Sequence, residues 1–256
     1  VAATKPRCCY KLLRMSTFRF FYTFALVGLL SSFLFGQSEK RTAYTFKGGL
    51  SIGTQRWNAF SNRAPLFRYH GDLAIETADS DEFGVFAQLG YHVRGSAVRY
   101  INLSAGANTN FISRPFAFHN LAVSIGGKQR FGYRNVKAYY LIALRGEYTV
   151  WTNLGRYEDE NNVYLFLPIE GLVRRFNYGV TAGGGFEWSF GDLVGGILEF
   201  TVSPDFSYQY RQPPLQNVPS PYISGVFTDI PEREIRNLSF EISLGIRFLR
   251  IVEYVD

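Results

Sequence analysis

The chain of 256 residues has two cysteines, Cys8 and Cys9, which are adjacent and close to the N-terminus. The other 247 residues after them therefore contain no disulfide framework, no thiolate nucleophile and no cysteine-based metal site. Methionine occurs once, and histidine only as His70, His92 and His119. Long apolar runs are also missing: after residue 36 no segment offers the roughly 18 consecutive apolar residues of a membrane-spanning helix. No repeat is visible. Aromatic residues and glycine are plentiful, with Phe 24, Tyr 17 and Gly 25, yet the mean hydropathy is only −0.06.

The one helix-length apolar stretch is FYTFALVGLLSSFLF, Phe21 to Phe35, with Lys11, Arg14 and Arg19 before it and Gly36 after it. A basic region, an apolar region and a small residue in that order have the layout of a secretory signal peptide. Residues 1–36 are expected to be such a segment, and residues 37–256 the exported domain. Met15 opens the targeting stretch, so 1–14 reads as an upstream extension or a long basic region. The same 36 residues hold Lys5, Arg7, Lys11, Arg14 and Arg19 and no acid, so without these five cations the formal net charge of +6 falls to +1. The basicity belongs to the targeting segment and does not point to a nucleic-acid partner.

Period-2 alternation runs through the rest. In NLSFEISLGIRF, Asn237 to Phe248, the residues Leu238, Phe240, Ile242, Leu244, Ile246 and Phe248 share one face of a strand. Seven further stretches alternate in the same way. Their apolar positions are Tyr44–Ile52, Phe67–Ile75, Phe83–Val93, Leu121–Ile125, Tyr140–Val150, Tyr178–Trp188 and Leu198–Val202. In the stretch from Phe116 to Gly127 the phase slips near His119 and Asn120, as a β-bulge would produce. The strand length approaches the roughly 9–11 residues a tilted strand needs to cross a bilayer. Connections of about 11, 17, 23 and 26 residues alternate with connections of about 6, 9 and 3. Short turns at one end and long loops at the other are the habit of an outer-membrane barrel.

The expected fold is therefore all-β, an eight-stranded antiparallel up-and-down transmembrane β-barrel in the outer membrane. Its apolar face meets lipid, and closure is required because hydrocarbon cannot satisfy a free strand edge. Tyr91, Tyr148, Trp151, Tyr178, Trp188 and Tyr208 lie towards strand ends, where aromatic girdles belong. Gly183, Gly185 and Gly245 fall on the inward face of a narrow barrel.

The order of YTFKGGLSIG, EFGVFAQLGYHVRGSA, ISRPFAF and FNYGVTAGGGFEW, with a last strand ending at Phe248, resembles the PorT-like outer-membrane β-barrel family of Bacteroidetes-type bacteria. The resemblance covers most of residues 44–248. Ala87-Gln88-Leu89 stands where the family commonly has Gln-Pro-Glu, and eight residues follow Phe248. PorT itself is linked to type IX protein secretion, so the resemblance implies a role as an accessory of secretion or envelope assembly.

No catalytic, cofactor-binding or metal residue is assigned from the sequence. GLSIG, Gly49 to Gly53, matches the nucleophile-elbow pattern around Ser51, but no helix follows it, so a glycine-softened strand is the expected reading. His70 with Asp72 and Glu76 has ligand chemistry without ligand spacing. In an eight-stranded barrel, filled by its own side chains, inward Lys47, Arg68, His70, Asp72, Arg145, Glu147, Glu187, Glu199, Glu241 and Arg247 are expected to neutralise one another. The Gly183–Gly185 run lies in a strand and is not a phosphate cradle. The loop Tyr210–Arg233 carries Pro213, Pro214, Pro219, Pro221 and Pro231 with Tyr222 and Phe227, and is either a variable loop or a place for a protein partner. Two other readings stay open. One is a lipid-modifying enzyme using His70 or His119 with a rim Ser or Asp, and the other is a small-solute channel.

Overall fold

A computed structural model describes residues 40–58, 63–78, 80–102, 110–132, 135–157, 168–219 and 225–252. The targeting segment, Pro221 and Tyr222 lie outside the described residues. Eleven strands follow in chain order: β1 Lys40–Trp57, β2 Arg63–Thr77, β3 Phe83–Asn102, β4 Asn110–Phe131, β5 Val136–Thr152, β6 Phe176–Ser189, β7 Val194–Pro204, β8 Tyr210–Gln212, β9 Leu215–Pro219, β10 Phe227–Ile230 and β11 Arg233–Val252. The strands β1 to β7 and β11 form an antiparallel ring of eight, closed by β1 against β11. That seam runs without a break from Lys40↔Val252 to Trp57↔Ile235, which leaves the ring no free edge. β8 pairs with the far end of β11, and β9 pairs with β10 as a separate hairpin.

The alternation read from the sequence sorts the two faces. Phe46, Leu73, Leu89, Ile125, Ile142, Leu144, Phe200 and Leu244 are exposed on the outer wall, while their neighbours Thr45, Asp72, Ser124, Glu199 and Ser243 are buried in the lumen. Two bands of exposed aromatic residues encircle the wall. Tyr69, Tyr148, Trp151, Phe176 and Tyr178 lie towards the long-loop end, and Phe83, Phe131, Tyr140 and Phe190 towards the turn end. Tyr91 and Trp188 join these bands half-buried, Tyr91 stacked on Tyr69 at 6.5 Å and Trp188 edge-on to Phe190 at 6.3 Å. Tyr208, half-buried beside Arg236, lies beyond β7.

The chain between strands differs from the expected loop lengths. The first two long connections shrink to positions 58–62 and 103–109, because β1 to β4 continue their ladders past the membrane-facing belt as far as Asn102↔Asn110. Continued pairing satisfies backbone groups that a loop would leave to water. The connections at 153–175 and 205–232 stay long, and the turns at 78–82, 132–135 and 190–193 stay short. The excess of chain thus still lies at one end.

Two register shifts bend the ring. On the β4–β5 pair His119 faces Trp151 and Asn120 faces Thr149, so the extra residue is Val150 on β5. The alternation along β4 itself never slips: Phe116, Phe118, Asn120, Ala122 and Ser124 all point inward. Phe116 and Phe118 break the apolar-out rule because they fill the lumen. The second shift lies between Pro65 and His70 on β2. Beside it Val93, expected on the lipid face, is buried with Leu66 and Ala117. Backbones come close here: a Cβ on Gly53 would lie 2.6 Å from the Gly95 carbonyl oxygen, and Gly95 has φ +144°, open to glycine alone.

Candidate functional site

The lumen is filled in tiers. Nearest the turns, Lys128 Nζ bridges Glu76 at 3.1 Å and Glu187 at 2.9 Å, and Arg130 bonds the same two carboxylates, its Nε reaching Glu187 at 2.8 Å. Two cations from β4 thus tie β2 to β6 across the barrel.

In the middle tier Lys47 pairs with Glu199, which also accepts from the Tyr139 hydroxyl at 2.8 Å. His92 stands between two acids, with Nε2 3.0 Å from Asp72 and Nδ1 2.9 Å from Glu241. Gln88 donates to Asp72 at 2.8 Å. Gly90 leaves the space this pair needs, since a Cβ there would lie 2.0 Å from the Asp72 carboxylate and 2.6 Å from His92 Nε2.

Above it Arg94 grips Glu147 with contacts of 2.8 and 2.9 Å, and Arg145 Nε approaches the same carboxylate at 2.7 Å while its other arm meets Asp205. Asn237 links Asp205 at 2.9 Å to Gln209 at 2.8 Å and accepts from Gln55, also at 2.8 Å. Charges this deep persist because each meets opposite charge and hydrogen-bond partners; unpaired, each would cost several kcal/mol. At the long-loop end the lumen turns apolar. Trp57, Val98, Phe116, Phe118, Leu154, Tyr157, Tyr210 and Ile235 pack as a plug, with Tyr157 and Tyr210 hydroxyls donating to the Pro115 carbonyl and to Gln212, each at 2.8 Å.

The structure separates the histidines. His70 and His92 stack in the lumen with ring centres 5.6 Å apart and planes 2° apart. His119 stands half-buried on the outer side, against Trp151 at 4.4 Å and bonded to the Tyr91 hydroxyl. His70 Nε2 lies 2.8 Å from Ser243 Oγ and 3.9 Å from Asp72, while Nδ1 has no hydrogen-bond partner. A catalytic triad needs the acid on the nitrogen opposite the nucleophile. Here one nitrogen faces both, in a closed interior. Glu76 belongs to the Lys128–Arg130 tier, so the His70, Asp72 and Glu76 grouping is not assembled, and no cluster with metal-holding geometry occurs among the described residues. Ser51 sits in mid-strand β1, fully buried, with its hydroxyl 3.4 Å from Glu241.

Of the residues expected to neutralise one another, Arg247 comes no closer than 3.9 Å to a carboxylate, that of Glu187, and Arg68 departs altogether. It lies half-exposed beside the β2 bulge and bonds the Phe67 carbonyl at 3.2 Å. Lys128 and Arg130 lie beyond the alternating stretch Phe116–Gly127, on the even, inward positions that β4 continues as far as Phe131. Arg94 shares the polar face of the third strand with Gln88 and His92, and Tyr139 shares the phase of Arg145 and Glu147, but nothing local marks either as part of an ion-paired tier.

The long-loop segment 210–233 is largely folded rather than a free loop. Its described prolines fall at strand margins: Pro213 and Pro214 before β9, Pro219 ending it and Pro231 after β10. Phe227 is exposed, as expected, with Val226 beside it. Burial pushes the Tyr210 hydroxyl above its ordinary pKa, whereas Arg211 at the surface is held charged by its bond to Glu232.

A closed ring with an apolar outer wall, two aromatic bands and a polar, charge-paired interior defines a transmembrane β-barrel protein of the outer-membrane type. No family model matches the chain, and no curated protein matches it either. Among solved structures it is similar to the N-terminal barrel domain of Pseudomonas aeruginosa OprF, with 10% identity, 83% of this chain and 100% of that chain covered, and a TM-score of 0.41. It is similar to the outer membrane protein OprG of the same organism at 10% identity, 82% and 98% coverage and a TM-score of 0.44. The outer membrane protease OmpT of Escherichia coli gives 8% identity, 84% and 99% coverage and a TM-score of 0.35. Likenesses this distant carry no activity over to this chain.

Proposed function

We propose that this barrel is an interaction protein of the outer membrane, an accessory of protein secretion or envelope assembly, and not a conduit. What supports this most is the filled lumen: paired charges through its length and an apolar plug at the long-loop end leave the outward surfaces as the working parts. Two such surfaces are available. The outer wall takes lipid, and the β9–β10 hairpin with Val226 and Phe227 takes an envelope or secretion protein. The PorT-like order of motifs agrees with a secretion accessory. No nucleic acid or cofactor is required by this reading.

A photoreactive amino acid at Phe227, irradiated in native membranes, tests it. One defined protein adduct is expected, present also in the solubilised complex, while the same probe at Leu144 yields lipid adducts only. Adducts with lipid alone from both positions would overturn the protein-partner reading. The lipid-modifying alternative has less support, since His70 faces the lumen and His119 the outer wall, and neither stands beside a serine–acid pair open to lipid.

A further inference from the structure

At the turn end of the barrel, below the Lys128–Arg130 tier, a cavity of about 150 Å³ opens between the β6–β7 turn and the first residues of β1 and last of β11. Cavities of this size admit a molecule as large as benzene. Among the described residues Arg41, Arg130, Lys137 and Arg247 line it together with Asp81, Glu187 and Asp192.

Two of these cations have donors to spare. Arg247 is four-fifths buried, its Nε has no hydrogen-bond partner, and its nearest carboxylate oxygen, on Glu187, is 3.9 Å away. That carboxylate is already taken, by Lys128 at 2.9 Å and Arg130 at 2.8 Å. Lys137 meets only Asp81, at 3.4 Å, and Asp81 is largely exposed, so the pair is weak. A desolvated guanidinium with unused N–H groups is costly unless an acceptor arrives, and a carboxylate matches its fork. Leu193 and Leu249 add apolar lining, and Trp188 borders the cavity from the outer face.

We infer that this cavity is a binding site for a carboxylate carried on a partly apolar body, of the kind a peptide C-terminus presents. The site faces the end where β1 begins and β11 ends, which in this topology is the periplasmic side.

The chain has three tryptophans, and only Trp188 lines the cavity; Trp57 is in the plug and Trp151 on the outer wall. The full chain, labelled with 5-fluorotryptophan in neutral detergent, therefore reports on the site by ¹⁹F NMR, with Trp188→Phe assigning the signal. N-acetylphenylalanine should move the Trp188 resonance saturably while leaving the other two in place, and its amide should leave all three. Arg247→Gln should weaken binding about tenfold and Lys137→Gln about threefold. If Arg247→Gln does not fold, the amide and Lys137→Gln decide alone. An equal response to the amide, tighter binding of inorganic phosphate, or wild-type affinity in the folded variants would overturn the assignment.

Discussion

Leu244 and Ser243 are adjacent on β11, yet one is 63% exposed on the wall and the other 2% exposed in the lumen. A charge placed at the first must snorkel or draw water into the bilayer, so Leu244→Arg is expected to cost about 2–4 kcal/mol. Ser243→Ala acts by a different route, leaving the buried His70 ring without its 2.8 Å partner, at a cost of about 1–3 kcal/mol. Ser243→Asn should be tolerated better than Leu244→Asn, because an inward amide finds partners that hydrocarbon does not supply. Gly90→Ala should destabilise by about 1–3 kcal/mol, since its methyl group would displace Asp72 from His92. Reversible urea unfolding from lipid vesicles measures all five. A neutral Gly90→Ala, or a Ser243→Asn worse than Leu244→Asn, would contradict the division between lumen and lipid.

Among the elements, the β9–β10 hairpin pairs only with itself, whereas β8 pairs with β11 and carries Tyr210 of the plug. Replacing residues 215–230 by a short Gly-Ser linker should therefore leave the barrel folded, read as an unchanged mobility difference between unheated and heated samples in detergent gels. It should also abolish the Phe227 adduct. Loss of the folded band would show that the hairpin belongs to the barrel's core. The alternation of β1 and β11 was legible residue by residue, because each separates two solvents, whereas Arg68 on β2 and the lumen-facing Leu141 and Ala143 on β5 were not. β4 was harder to read: its Phe116 and Phe118 face the lumen, so an apolar residue there signals the plug and not lipid. The Pro-rich segment was legible as stiff, but its pairing depended on residues twelve or so apart closing a hairpin, which no local pattern records.

Taken whole, the molecule should conduct no steady current in a planar bilayer, and the double variant Phe116→Ala/Tyr210→Ala should not conduct either. Opening the plug still leaves the Arg94–Glu147 and Lys128–Glu187 tiers across the lumen. Steady single-channel steps from the wild type would show that these charges line water. The sequence by itself determined the all-β class, the eight-strand ring, most of the lipid-facing residues and the end that carries the long connections, because membrane thickness and side-chain alternation act on each strand separately. Only the tertiary structure decided which charge meets which. Lys47 finds Glu199 and Arg94 finds Glu147 across 152 and 53 positions of chain, because ring closure and register, properties of all eight strands together, set their heights in the lumen.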